Sequence, residues 1–251
     1  MAIVQSKACL NPARDYQGGF ALSPARSGGR LSAIIMSSDL LAFERALWQQ
    51  GLVHVAGVDE AGRGPLAGPV SAAAVILPPA WANSGLPGAL TGLNDSKQLT
   101  EAQREAFYEF IINCSEICHA VVLVSAERID ATNILAATHE AMILALARLQ
   151  PAPQHALVDG RLVKTMRVPQ TALVKGDARS YSIAAASVLA KVTRDRLMLE
   201  YHQQWPEYGF AGHKGYGTTQ HLAAIAQWGP CPIHRRSFAP LKLAEPELFP
   251  R

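Results

Sequence analysis

Long apolar runs are missing from this chain. The longest, residues 70–80 and 141–149, fall well short of the ~20 residues a membrane-spanning helix requires. No membrane contact is expected. Charge is sparse, with 17% Asp, Glu, Lys and Arg and a net charge of only +3. Global basicity therefore gives no argument for a nucleic-acid partner. Cysteine is scarce too. Cys9, Cys114, Cys118 and Cys231 make no dense framework, and no second Cys or His pair stands at zinc-site spacing. Free thiols in a reducing cytoplasm are the expected state. No Gly-x-x-x-x-Gly-Lys-Ser/Thr segment occurs, which excludes a P-loop phosphotransferase. Heptads and internal repeats are absent as well.

What is present suits a globular domain. The chain has 251 residues, 49% of them hydrophobic, enough for one domain with an appendage. The charges that exist are unevenly placed. Residues 36–159 carry six basic and thirteen acidic side chains, whereas residues 160–240 carry eleven basic and four acidic. That asymmetry points to an acidic site beside a basic surface, as a polyanion held over metal ions would need.

Residues 1–35 differ from the rest. They hold Gly18-Gly19, Gly28-Gly29 and scattered serines, with no sustained hydrophobic period. They read as a disordered N-terminal arm, or as the product of an upstream start, with Met36 the alternative first residue.

The remaining elements follow from pattern. Asp39 is a suitable N-cap for a helix over 40–50 closed by Gly51. Apolar runs predict strands at about 52–59, 69–77, 119–125, 156–160 and 172–177. Thr100-Glu-Ala-Gln103 is a capping box opening a helix to about 113. Longer helices are predicted over 130–150 and 180–204, and a short one over 218–228. The order predicts an α/β fold: a mixed five-stranded sheet flanked by helices, with a helical C-terminal segment.

Three of the predicted strands run into acid: Val58-Asp59-Glu60, Val158-Asp159 and Lys175-Gly176-Asp177. Neighbouring strand ends lie ~5 Å apart, so these carboxylates are expected to converge. Adjacent residues on a regular strand face opposite ways, so Asp59 is expected to end its strand and Glu60 to begin a turn. A cluster of four acids repels itself unless it binds cations, and Mg²⁺ or Mn²⁺ suits oxygen ligands. Two such ions suit phosphodiester hydrolysis.

Several motifs stand in a fixed order. They are Asp59-Glu-Ala-Gly-Arg-Gly64, Leu93-Asn-Asp-Ser-Lys97, Asn133-Ile-Leu-Ala-Ala-Thr138, Val158-Asp-Gly160 and Val174-Lys-Gly-Asp177, followed by the segments 185–195, 213–218 and 234–240. Together the chain resembles bacterial type 2 ribonuclease H, ribonuclease HII, over about residues 40–243. The resemblance implies an RNase H-like catalytic domain over 36–243, with 244–251 as a tail. It implies cleavage of the RNA strand of RNA–DNA hybrids and incision 5′ to single ribonucleotides in duplex DNA, leaving 3′-hydroxyl and 5′-phosphate ends. It implies Asp59, Glu60, Asp159 and Asp177 as catalytic metal ligands, Gly62-Arg63-Gly64 as the segment sensing the 2′-hydroxyl, and Tyr216 as the tyrosine stacking beside the junction.

Elementary chemistry adds further candidates. Ser96 and Lys97, in a loop before a helix, suit phosphate contact. Lys175 stands one glycine before Asp177, where an ammonium can hold a phosphate or buffer the acids. Ser187, Lys191 and Arg194 are spaced to share one helix face that tracks a nucleic-acid backbone. A monomer is expected. Two alternatives remain open: a non-catalytic hybrid-binding protein of the same fold, and an acidic-triad DNA strand transferase.

Overall fold

The computed structural model describes residues 39–241 and the backbone of residues 3–7. Six strands, β1 (Ile3–Lys7), β2 (Val55–Ala61), β3 (Val70–Ile76), β4 (Cys118–Val124), β5 (His155–Asp159) and β6 (Gln170–Leu173), form one sheet in the order β1-β4-β3-β2-β5-β6. The neighbours from β1 to β2 are antiparallel, and β2-β5 and β5-β6 are parallel. The helices of the described residues are α1 (Ala42–Trp48), α2 (Trp81–Ser84), α3 (Glu101–Asn113), α4 (Ala126–Ala131), α5 (Ile134–Ala147), α6 (Tyr181–Gln204), α7 (Phe210–His213) and α8 (Thr219–Trp228).

The five expected strands form the mixed sheet, and β1 adds a sixth at its edge. That strand falls inside the stretch expected to be a disordered arm. Edge pairing needs only backbone groups, so a short run without hydrophobic period can still supply it. Ile3 lies opposite Leu123 and Lys7 opposite His119. The rest of the expected arm and the tail at 244–251 lie outside the described residues.

Three further differences have local causes. The helix expected over 130–150 is two helices, because Asn133 is extended and its side chain caps α5 by accepting from the Ala136 amide at 2.9 Å. The last strand ends at Leu173 because Lys175 takes a left-handed conformation, φ 55°, and a 3₁₀ turn follows over Gly176–Ala178. Among the cysteines, Cys114 and Cys231 are free thiols, but Cys118 is disulfide-bonded. Spacing alone does not reveal which cysteines approach in space.

The sheet is covered on both faces, which is why its inner strands read as apolar runs rather than alternating ones. One face packs Val58, Val122 and Ala74 against Ala141 and Leu146 of α5. The other packs Ala73, Val75 and Val121 against Val188 and Leu189 of α6, with Phe107 and Ile111 of α3 alongside. Full burial of a side chain such as Val188 or Leu189 contributes about 1.5–3 kcal/mol. Ser180 caps α6 by accepting from the Ile183 amide at 3.2 Å. This long helix therefore crosses beneath β2 and β3 and carries its middle turns to the sheet's acidic end.

The C-terminal segment packs as a separate small cluster. Tyr208, Phe210, Ala224 and Cys231 surround Ala67 of the β2-β3 loop and Met198 of α6. Backbone bonds stitch the same loop down: Leu66 N–H to Gly215, Gly68 N–H to Ile233 and Arg235 N–H to Leu66, at 2.8–2.9 Å. Among the described residues no helix is long and apolar enough to cross a membrane.

Candidate active site

Asp59 and Glu60 both lie within β2, opposite Ala73 and Ala72 of β3. The strand thus continues through the acids to Ala61, where a turn beginning at Glu60 was expected. Consecutive strand side chains diverge, and these two do. Asp59 accepts a hydrogen bond from Ser187 of α6, whereas Glu60 pairs with Arg63 at 3.1 Å.

The parallel register sets Val58 beside Val158, so Asp59 adjoins Asp159, the last residue of β5. Asp177 arrives from the 3₁₀ turn after β6 rather than from a strand end. Ligand oxygens of Asp59, Asp159 and Asp177 all lie within 4.8 Å of one another. The Gly176 amide donates to Asp159 Oδ1 at 2.6 Å and holds the turn against β5.

Crowding shifts the acids. Burial, then the charges of Glu60 and Asp159, push Asp59 well above the usual carboxylate range. Burial, then Asp159 and Asp95, push Asp177 up to about 6. Burial also raises Glu60, although Arg63 opposes the rise. Burial alone would weaken the proton affinity of Lys97, but Asp59, Asp95, Asp177 and Asp159 together raise it. Three mutually repelling carboxylates, facing one ammonium, fit a hard divalent cation with oxygen ligands.

Beside the acids lies a cleft of about 260 Å³. Its walls include Glu60, the turn Gly62-Arg63-Gly64, Ser96, Lys97, Ser187, Lys191 and Tyr216. Every substrate-binding candidate from the sequence is there except Lys175. That residue is exposed, and its left-handed backbone belongs to the turn, outside the cleft wall. Ser96 and Ser187 are buried and share a hydrogen bond at 2.7 Å. Tyr216 leaves 47% of its surface exposed, and a Cβ on Gly64 would lie 3.5 Å from its ring. The glycine turn and the tyrosine thus face one another across the cleft.

The family profile described as ribonuclease HII matches residues 56–241. The chain belongs to the ribonuclease HII family. It is 53% identical over 206 residues to the ribonuclease HII of Geobacillus thermodenitrificans, covering 82% of this chain and 76% of that protein. It is 52% identical over 200 residues to the ribonuclease HII of Chlamydia trachomatis, covering 80% of this chain and 88% of the relative. Among solved structures, the ribonuclease H2 of Pyrococcus horikoshii superposes with a TM-score of 0.60 at 31% identity, covering 74% of this chain and 94% of that one. The ribonuclease HII of Archaeoglobus fulgidus, solved in complex with PCNA, gives 0.59 at 26%, covering 78% and 98%. The fold is the RNase H fold of these family members.

Some parts of this ribonuclease HII site escaped the sequence reading. Arg194 was expected on an exposed helix face, yet it is buried. Its guanidinium donates to the carbonyls of Ala67, Pro69 and Lys214 at 2.9–3.0 Å. Arg235 is also buried and donates to the carbonyls of Gly62, Arg63 and Gly68 at 2.5–2.9 Å. Two arginines therefore hold the loop between β2 and β3 from beneath. Gly62 has no room for a side chain there: its φ is +88°, and a Cβ would lie 2.1 Å from Arg194 Nε. Asp95 is a fifth carboxylate, close enough to raise the proton affinity of Asp177 and accepting from the Lys97 amide at 2.9 Å. Its sequence signal was only its place in the Asn94-Asp95-Ser96-Lys97 motif.

Proposed function

We propose that this chain hydrolyses the RNA strand of RNA–DNA hybrids and cuts duplex DNA on the 5′ side of single embedded ribonucleotides, leaving 3′-hydroxyl and 5′-phosphate ends. The convergence of Asp59, Asp159 and Asp177 beside the cleft of Gly62-Arg63-Gly64 and Tyr216 carries this reading. Family membership supports it. We assign Asp59, Asp159 and Asp177 as ligands of Mg²⁺ or Mn²⁺, two ions during catalysis, with Glu60 as the fourth carboxylate. When bound, such ions acidify the attacking water and offset charge on the departing 3′-oxygen.

The chain's own groups prepare the rest. Ser187 orients Asp59 and is itself held by Ser96. Lys97 and Lys191, on the cleft wall, attract phosphates. The backbone of the glycine turn lines the cleft and would test a sugar for a 2′-hydroxyl, Gly62 leaving room for Arg194 beneath it and Gly64 leaving the Tyr216 side of the cleft clear. Tyr216 offers its exposed ring for stacking. The domain spans 36–243 in this reading and acts as a monomer in the cytoplasm. The non-catalytic and strand-transferase alternatives gain no separate observation.

The test is Asp159→Asn with a labelled hybrid in Mg²⁺ and in Mn²⁺. Cleavage should fall by more than the ~10–100-fold typical of outer-shell partners, while hybrid binding persists. Unchanged cleavage would refute the ligand assignment.

A further inference from the structure

Tyr216 stands between Gly215, with φ +86°, and Gly217. The flanking glycines loosen its backbone, which is held by hydrogen bonds instead: its amide donates to the His213 carbonyl at 2.9 Å, and its carbonyl accepts the Thr218 amide at 2.8 Å as well as the histidine below. Beneath it lie His213, His221 and His234, which do not form part of the acid cluster. His221 and His234 are buried, and Phe210 packs against both, with centroids 5.4 and 5.8 Å away.

The hydrogen bonds assign the tautomers. His221 Nδ1 is 2.9 Å from the Tyr216 carbonyl, which only accepts, so Nδ1 carries the proton. In the neutral ring, Nε2 must then accept. Its partner at 3.0 Å is His234 Nε2, which must donate. His234 Nδ1 is left as an acceptor and receives the Cys231 amide at 3.0 Å. The reverse tautomer of His234, donating to the Cys231 carbonyl at 3.3 Å, would set two lone pairs against each other at the His221 contact. His213 is fixed likewise, with Nε2 2.8 Å from the Tyr208 carbonyl and the Gly215 amide donating to Nδ1 at 3.2 Å. One directional chain thus runs from the Cys231 amide through His234 and His221 to the Tyr216 carbonyl.

We propose that His221, locked in one tautomer by His234, is a positioning residue that fixes the Tyr216 backbone and so aims its ring into the cleft. A proton on His221 would place two N–H groups face to face at the His221–His234 contact, and a proton on His234 would set its Nδ1–H against the Cys231 amide. Burial first lowers the proton affinity of both rings, joined at His221 by the charge of His213 and at His234 by those of His221 and Arg236, and His234 is pushed down to about 4. The inference rests on Tyr216 being the stacking residue.

Two substitutions separate positioning from packing. His221→Asn keeps a donor where Nδ1 stands and loses the contact to His234. His221→Gln keeps a polar group where Nε2 stands and loses the Tyr216 contact. Both give up one buried hydrogen bond, so a merely structural role predicts equal losses. On duplex DNA with one ribonucleotide, His221→Gln should raise KM about tenfold with kcat little changed, and His221→Asn should stay within about threefold of the parent. Equal KM changes in the two variants would overturn the proposal. Tyr216→Ala, assayed alongside, should raise KM about tenfold or more. If it does not, the stacking reading fails and the inference with it. If it does and His221→Gln does not, the relay alone fails. Imidazole ¹⁵N spectra of the unmodified protein give a second measurement. They should show His221 protonated at Nδ1 and His234 at Nε2 at neutral pH, and the opposite pair would refute the relay.

Discussion

The acid cluster and the loop beside it solve opposite problems. At the cluster, like charges are gathered: Asp59, Asp159 and Asp177 converge, and burial with mutual repulsion raises the proton affinity of Asp59 and Asp177. At the loop from Gly62 to Pro69, the buried polar groups are met. Arg194 and Arg235 place six donor contacts on loop and neighbouring carbonyls. The first region draws cations by its charge; the second is held by its own hydrogen bonds. A nuclease that chooses among sugars needs both, because charge that must be neutralised by cations can be recruited, whereas a 2′-hydroxyl must be read by a surface that does not yield.

The largest expected effect falls on the rigid side. Arg235→Met removes three donors and leaves the buried Gly68 carbonyl and the part-buried carbonyls of Gly62 and Arg63 without them. Loss of about 1.5–3 kcal/mol is expected in urea unfolding, the range for hydrogen bonds to a charged group. A loss under about 1 kcal/mol, the usual range for an exposed ion pair, would remove the clamp from the account.

A smaller effect of opposite sign is expected at the acids. In metal-free protein, folded Asp177 holds its proton up to about pH 6, against 3.8 for an ordinary carboxyl. The folded state therefore binds more protons across that window, and this group's contribution to stability falls as pH rises through 6. Asp177→Asn should melt higher than the parent at pH 7 in EDTA, and the advantage should shrink toward pH 4. Adding Mn²⁺ should stabilise the parent more than the variant. A variant that melts lower at pH 7 in EDTA would show the cluster to be relieved without cations.

How far this contrast was legible in the sequence depends on what each residue contacts. Asp59 and Asp159 were legible because each follows an apolar run, and the parallel register of β2 and β5 brings such residues side by side. Glu60 was read as beginning a turn, but β2 continues through it, and strand alternation sends it to Arg63. Asp177 was placed correctly for the wrong reason, since a left-handed Lys175 ends the strand's line four residues early. The same bend removes Lys175 from the cleft. Arg194 was read as part of an exposed face, and Arg235 drew no role of its own, because nothing in a single sequence distinguishes a buried, fully bonded polar side chain from a solvated one.

The smallest predicted effect exploits that correction. Lys97 faces four carboxylates and lines the cleft, whereas Lys175 does neither. Lys97→Ala should weaken substrate binding and reduce the salt slope by about one charge, and Lys175→Ala should leave both unchanged. Equal effects from the two would place the substrate path along the β6 turn as well as the cleft.

The most direct measurement uses a DNA duplex with one ribonucleotide in one strand, labelled at the 5′ end of that strand, with Mg²⁺ or Mn²⁺ present. An acid cluster coupled to a rigid sugar-reading turn predicts a single cut immediately 5′ to the ribonucleotide, leaving a 3′-hydroxyl, and no cut in the all-DNA control. Cleavage confined to long hybrids, or equal cleavage of the all-DNA duplex, would contradict it.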